Sequence, residues 1–219
     1  MAKKFYIGIS DKARNCKKAY IGISDKARKI KKMYIGIGGK AKLLFELITY
    51  KSFTANIFPS FSRKSIDIDS DTLTDDYGTW SIQGSGNFYS DGQHNITHAF
   101  DSSSGSYWDA VGGTGTKHMY IKMPSGVSIN PKEFLIDCEI SNSSRGGDME
   151  IYGITEGGKT VTLCTATPTT SSKLFTLTCN TSEYFTRLGV KCFNKTGNTS
   201  TWTFSCYYFH CTAGTMKIQ

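Results

Sequence analysis

The side chains that could do chemistry in this 219-residue chain are four histidines, seven cysteines and 18 carboxylates, and their spacing argues against a catalytic or metal centre. His94 and His98 are four apart, which on a helix would bring two imidazoles to one face for zinc; their segment reads as loop or strand, where that spacing does not align them. The cysteines (Cys16, Cys138, Cys164, Cys179, Cys192, Cys206, Cys211) are odd in number and form no CxxC pair. They read as free thiols on buried strands of a protein made in a reducing cytoplasm. Asp67, Asp69, Asp71, Asp75 and Asp76 are spaced like calcium ligands, but the run lacks the glycine and distal glutamate of an EF-hand loop and reads as a solvated linker. The remaining acids are scattered without a glycosidase signature, and a GxSxG elbow and a phosphate loop are absent. No enzyme is expected.

The elements that would position a binding site are strands. Past residue 75 the chain is rich in Thr, Ser, Gly, Tyr and Phe, and no long segment has helical periodicity. Alternating runs at residues 119–123, 134–140, 149–154, 160–164, 174–179, 185–192 and 202–209 are separated by turn-rich loops, which predicts seven or eight antiparallel strands in a jelly-roll sandwich with its loops gathered at two ends. Five Asn-x-Ser/Thr sequons (Asn95, Asn142, Asn180, Asn194, Asn198) predict exposed loops. Nothing opens like a signal peptide, and no run of about 18 apolar residues marks a membrane span.

Residues 99–108, AFDSSSGSYW, resemble the A-x-D-G-N-x-x-T-x-W stretch of the discoidin or F5/8 type C family, galactose-binding-like β-sandwiches that include many carbohydrate-binding modules. The segments at 120–123, 133–140, 148–154, 185–191 and 203–209 resemble that family's later strands, so the likeness covers about residues 80–213. The resemblance implies a sugar site built from an aromatic face and a few planar polar groups. It places Asn142 and Arg145, in the loop SNSSRGGD, among the ligand-facing residues, with Trp202 as the platform and His118 and Asp109 as companions. The packing alternative is open at each position. The family often holds a structural calcium; here Ser102, Ser103 and Ser106 replace its Gly, Asn and Thr, leaving Asp101 with backbone carbonyls and Asp109 to complete a shell. No other cofactor is expected.

The first 42 residues carry one phrase three times at a spacing of 14: YIGISDKAR from Tyr6, the same from Tyr20, and YIGIGGKAK from Tyr34. The period-two pattern predicts hairpins, with Tyr6, Ile7, Tyr20, Ile21, Tyr34 and Ile35 as assembly residues, since so short a repeat encloses no core of its own and needs a partner. Residues 1–51 hold 14 basic against 3 acidic side chains, a net +11, while the other 168 hold 12 against 15, a net −3. Such an arm either docks on an acidic surface or uses its lysines to keep ribbon edges soluble. Nucleic acid is not expected as the partner, because the tyrosines repeat with the strands as packing residues do. Residues 43–50, LLFELITY, end the repeat as a strand or a two-turn helix. The expected organisation is an arm at 1–51, a linker at 52–79 and a sandwich at 80–219.

The tandem phrase resembles N-terminal repeats of tail and other virion structural proteins of bacteriophages of Gram-positive hosts. That resemblance implies a virion protein, assembled in the bacterial cytoplasm, held among other virion proteins as a homo-oligomer such as a trimer, and displaying a domain that adheres to host-surface saccharide. A purely structural virion role and a bacterial carbohydrate-binding module are the alternatives.

Overall fold

The computed structural model describes residues 6–9, 12–15, 20–23, 26–29, 32–37, 40–46, 48–64, 68–85, 94–101, 107–110, 115–195 and 197–219. The chain divides into two compact units, residues 1–50 with 217–219, and residues 51–216. In the first unit β1 (Tyr6–Ile9) pairs with β2 (Lys12–Asn15), β3 (Tyr20–Ile23) with β4 (Lys26–Lys29), and β5 (Lys32–Ile37) with β6 (Lys40–Glu46). Each pair is a two-stranded sheet, and the register repeats, Gly8 opposite Ala13, Gly22 opposite Ala27 and Gly36 opposite Ala41. The six assembly residues therefore hold equivalent strand positions; what their side chains meet lies outside the described residues. Residues 43–46 continue β6 as strand, and β7 spans Thr49–Phe53.

The second unit is all-β. Its remaining strands are β8 (Ser70–Asp75), β9 (Gly78–Gly84), β10 (Trp108–Ala110), β11 (Lys117–Lys122), β12 (Val127–Ile140), β13 (Gly146–Thr155), β14 (Thr160–Ala166), β15 (Lys173–Thr178), β16 (Phe185–Asn194) and β17 (Phe204–Ile218). One layer runs β10-β17-β12-β15 and the other β14-β13-β16-β11-β9-β8; a single pairing, Ile129 with Phe185, joins β12 to β16 and lets one sheet curl into two layers. Alternation drives this. On β16, Leu188, Val190 and Cys192 are fully buried while Arg187, Lys191 and Phe193 point outward. From the opposite layer Phe134, Ile136, Cys138 and Phe209 fill the core, with the Phe134 and Phe209 rings stacked at 5.4 Å. Burying each such side chain contributes about 1.5–3 kcal/mol.

Two expectations are corrected here. Residues 52–79 are not a linker: Phe58 and Phe61 are buried in an aromatic cluster with Phe100, and β8 pairs along its length with β9. As an edge strand largely exposed on both faces, β8 is built of Ser, Thr and Asp and has no apolar alternation to reveal it, and its acids discourage further edge pairing. The closing strand begins at Phe204, leaving Trp202 in the preceding loop.

Among the described residues, six cysteines are free thiols, and no helix is long and apolar enough to cross a membrane. Cys16 and residues 102–106 of the AFDSSSGSYW stretch lie outside them.

Candidate functional site

Five strand ends meet at one end of the sandwich: β12 stops at Ile140, β13 starts at Gly146, β16 stops at Asn194, β17 starts at Phe204 and β11 starts at Lys117. The loops 141–145 and 195–203 leave from here, and their own polar groups knit them together. Ser141 N donates to Thr203 O at 2.9 Å, and Thr203 N to Ser141 Oγ at 2.9 Å. Arg145 Nη1 donates to Thr201 O at 2.8 Å, while Lys195 N donates to Arg145 O at 2.8 Å. The Asn198 amide donates to Asn194 Oδ1 at 2.7 Å and to Ser200 O at 3.0 Å. Backbone groups that a loop must satisfy without a ladder are thus answered by Asn and Ser side chains, which makes this loop pair a defined surface.

Asn142 and Arg145 do stand together here. Asn142 shapes the turn, its Oδ1 accepting from Ser144 N at 2.8 Å and Ser144 Oγ at 2.6 Å. Trp202 is not a ligand platform: it is 2 % exposed, and its ring covers Gly146 so closely that a Cβ there would come within 2.9 Å. Lys117, its pKa lowered by burial, lies 5.5 Å from that ring. The physical reason is that the loop pair needs an apolar pin beneath it, and the one Trp of the loop supplies it.

His118 lies on the outward face of β11 opposite Lys191, its pKa lowered by burial. Asp109 is buried on β10 opposite Ser205, at the start of β17, and accepts a hydrogen bond from Ser205 Oγ. Asp101, the expected calcium ligand, is held by Arg63 Nε at 2.5 Å. The rest of that loop, residues 102–106, lies outside the described residues, and among the described residues no group of three His, Cys, Asp or Glu is arranged for a metal.

Beside the loop pair runs a groove of about 500 Å³, lined by Ser143, Asp148, Glu150, Thr167, Phe193 and Lys195 among others. Its floor is the half-buried Phe193 ring, with the Lys191 ammonium 5.1 Å from the ring centre. Thr167 Oγ1 donates to Asp148 Oδ1 at 2.6 Å, Lys191 pairs with Glu150 at 2.9 Å, and Lys195 Nζ donates to Ser143 O at 2.6 Å. Each carboxylate retains acceptor positions beyond these bonds. An apolar ring edged by carboxylates, an amide and an ammonium can cover the C–H face of a pyranose and read its hydroxyls. Sequence reasoning missed Phe193, Asp148, Glu150 and Lys195. The signal was present: with Leu188, Val190 and Cys192 inward on β16, an aromatic at 193 must face out.

No family model and no curated protein matches the chain. Among solved structures it is similar to chitosan-binding module 1 of a chitosanase/glucanase from Paenibacillus sp. IK-5, at 18% identity over 61% of this chain and 92% of that one, TM-score 0.46. It is similar to a CBM32 module from Clostridium perfringens in complex with GalNAc-β-1,3-galactose, at 14% identity over 60% and 93%, TM-score 0.45. A third is a family 32 carbohydrate-binding module from C. perfringens in complex with galactose, at 12% identity over 67% and 98%, TM-score 0.43.

Proposed function

We propose that residues 51–216 are a non-catalytic saccharide-binding module and that the repeat arm anchors it in a phage particle, where it adheres to host-surface saccharide. The observation that carries this reading is the loop-end groove, in which an outward Phe193 is ringed by Asp148, Glu150, Asn194 and Lys195 beside Arg145. The arm supports the second half: three two-stranded hairpins in one register, at net +11, supply strand edges and positive charge for an acidic virion surface. Copies assembled in one particle would repeat a weak site many times, raising avidity by on the order of 10² to 10⁴.

A glycan array probed with the full chain at 150 mM salt or above, where arm electrostatics are screened, tests the reading. Binding to a defined saccharide that Phe193→Ala removes is the expected result. No binding to any glycan or host wall fraction would leave the sandwich as a protein-contact element of the particle.

A further inference from the structure

The opposite end of the same sheet carries a second, differently charged groove. On β11 the outward residues are His118, Tyr120 and Lys122, and on β16 Arg187, Gly189, Lys191 and Phe193. Register sets Lys122 directly opposite Arg187, and Tyr120 and Tyr152 on either side of Gly189. Like charges facing each other across neighbouring strands are destabilising unless something neutralises them. One row away Lys191 has Glu150 at 2.9 Å; among the described residues neither Lys122 nor Arg187 has an acidic partner, and Glu156, which lines the same groove, pairs with neither.

Arg187 is also held in advance. Its guanidinium lies 5.4 Å from the Tyr120 ring centre, and the Tyr120 hydroxyl is hydrogen-bonded to Gln83 Oε1. A Cβ at Gly189 would sit 2.8 Å from the Tyr120 Cβ and 2.8 Å from the Tyr152 ring, so the missing side chain lets the two tyrosines approach β16 from either side, beside the Tyr120 ring on which Arg187 rests. Burial and Tyr120 push the Tyr152 hydroxyl up to about 12, and the Arg187 charge acts against that shift. A planar fork already oriented loses little freedom when it binds a carboxylate bidentately.

The groove holds about 900 Å³, and hydroxyls of Thr79, Ser81, Ser125, Thr155 and Thr186 line it. The β8–β9, β11–β12 and β13–β14 turns wall it, each carrying a glycine at positive φ, Gly78 at 121°, Gly126 at 78° and Gly158 at 82°. Unneutralised cations in one groove with Ser and Thr residues match an anion carried on a polyol. The geometry points to a second ligand site that takes the carboxylate of an acidic polysaccharide, with Arg187 gripping the carboxylate, Lys122 adding charge and the Ser and Thr hydroxyls meeting the sugar ring.

The test is calorimetry on the full chain at 150 mM salt with three probes: a uronic acid trisaccharide, the same trisaccharide with its carboxyls reduced to alcohols, and inorganic phosphate. The Arg187→Gln, Lys122→Gln double variant should weaken uronate binding by about tenfold or more, the loss of a bidentate charge-assisted pair. The basic arm is identical in both proteins, so the difference reports the groove. The reduced trisaccharide should show no difference between the two proteins, and phosphate should bind more weakly than the uronate. Equal uronate affinity in the two proteins would overturn the proposal, as would phosphate binding as tightly as the sugar acid. Because Phe193 lies at the other end, Phe193→Ala should leave this difference intact, which separates failure here from failure of the loop-end reading.

Discussion

At one end of the sandwich two loops are stitched by Asn and Ser side chains over a buried Trp202, and the groove beside them is edged by Asp148 and Glu150. At the other end short turns with glycines at positive φ leave the strands' own side chains, Lys122 and Arg187, as the exposed chemistry. Long loops need side chains to satisfy their backbone, and those side chains then decorate the surface; tight turns satisfy themselves and expose what the strands carry. The same sheet thereby offers two surfaces of opposite bias, and substitutions can be chosen to disturb one, the other or both.

The largest effect is expected where the loop end is pinned. Trp202→Ala should cost about 3–5 kcal/mol, the range for emptying a buried Trp site, and lower Tm by roughly 10 °C or more in a differential scanning measurement. Loss of saccharide binding with an unchanged Tm would instead make Trp202 a ligand platform. Next comes the position shared by both ends of the face: a Cβ at Gly189 meets Met119 O at 2.4 Å as well as the two tyrosines, so Gly189→Val should destabilise by about 3 kcal/mol, read from the urea midpoint. A stable Gly189→Val protein would mean that Met119, Tyr120 and Tyr152 do not crowd β16 at this position.

Phe193→Ala separates function from stability. Saccharide affinity at the loop end should fall by about tenfold while stability changes by less than about 1 kcal/mol, since the ring is only half buried.

The smallest effect is in pH. Burial lowers the pKa of His118 and of His210 from the usual 6.5, and His210 Nε2 is buried without a hydrogen-bond partner among the described residues. The folded state therefore binds fewer protons than the unfolded chain below pH 6.5, so stability is full above that value and declines as pH falls toward the lowered folded values. Tm should drop between pH 7 and pH 5, and His210→Phe should flatten that slope; an unchanged slope would assign the loss elsewhere.

Much of the fold was legible because strand alternation is local. The run from Phe185 to Cys192 announces its own inward face, and the YIGI phrase announces its own hairpin. What was not legible depended on distant partners. Asp101 could not be recognised as ion-paired, because Arg63 is 38 residues away. Trp202 was read as a platform because nothing local says that Gly146, 56 positions earlier in the chain, leaves a hole for its ring. Phe193 was hidden for the opposite reason: it lies in a strand, whereas ligand-facing residues of such sandwiches are expected in the loops. The acidic edge strand β8 showed only composition, and a solvated strand and a solvated linker share one composition.

The most direct test is an amide chemical-shift titration of the full chain with the saccharide that the array selects. The account predicts that the perturbed resonances cluster at Ser143, Asp148, Phe193, Asn194 and Lys195, around the loop-end groove. Perturbations confined to other parts of the sandwich, with these five amides unmoved at saturation, would contradict it.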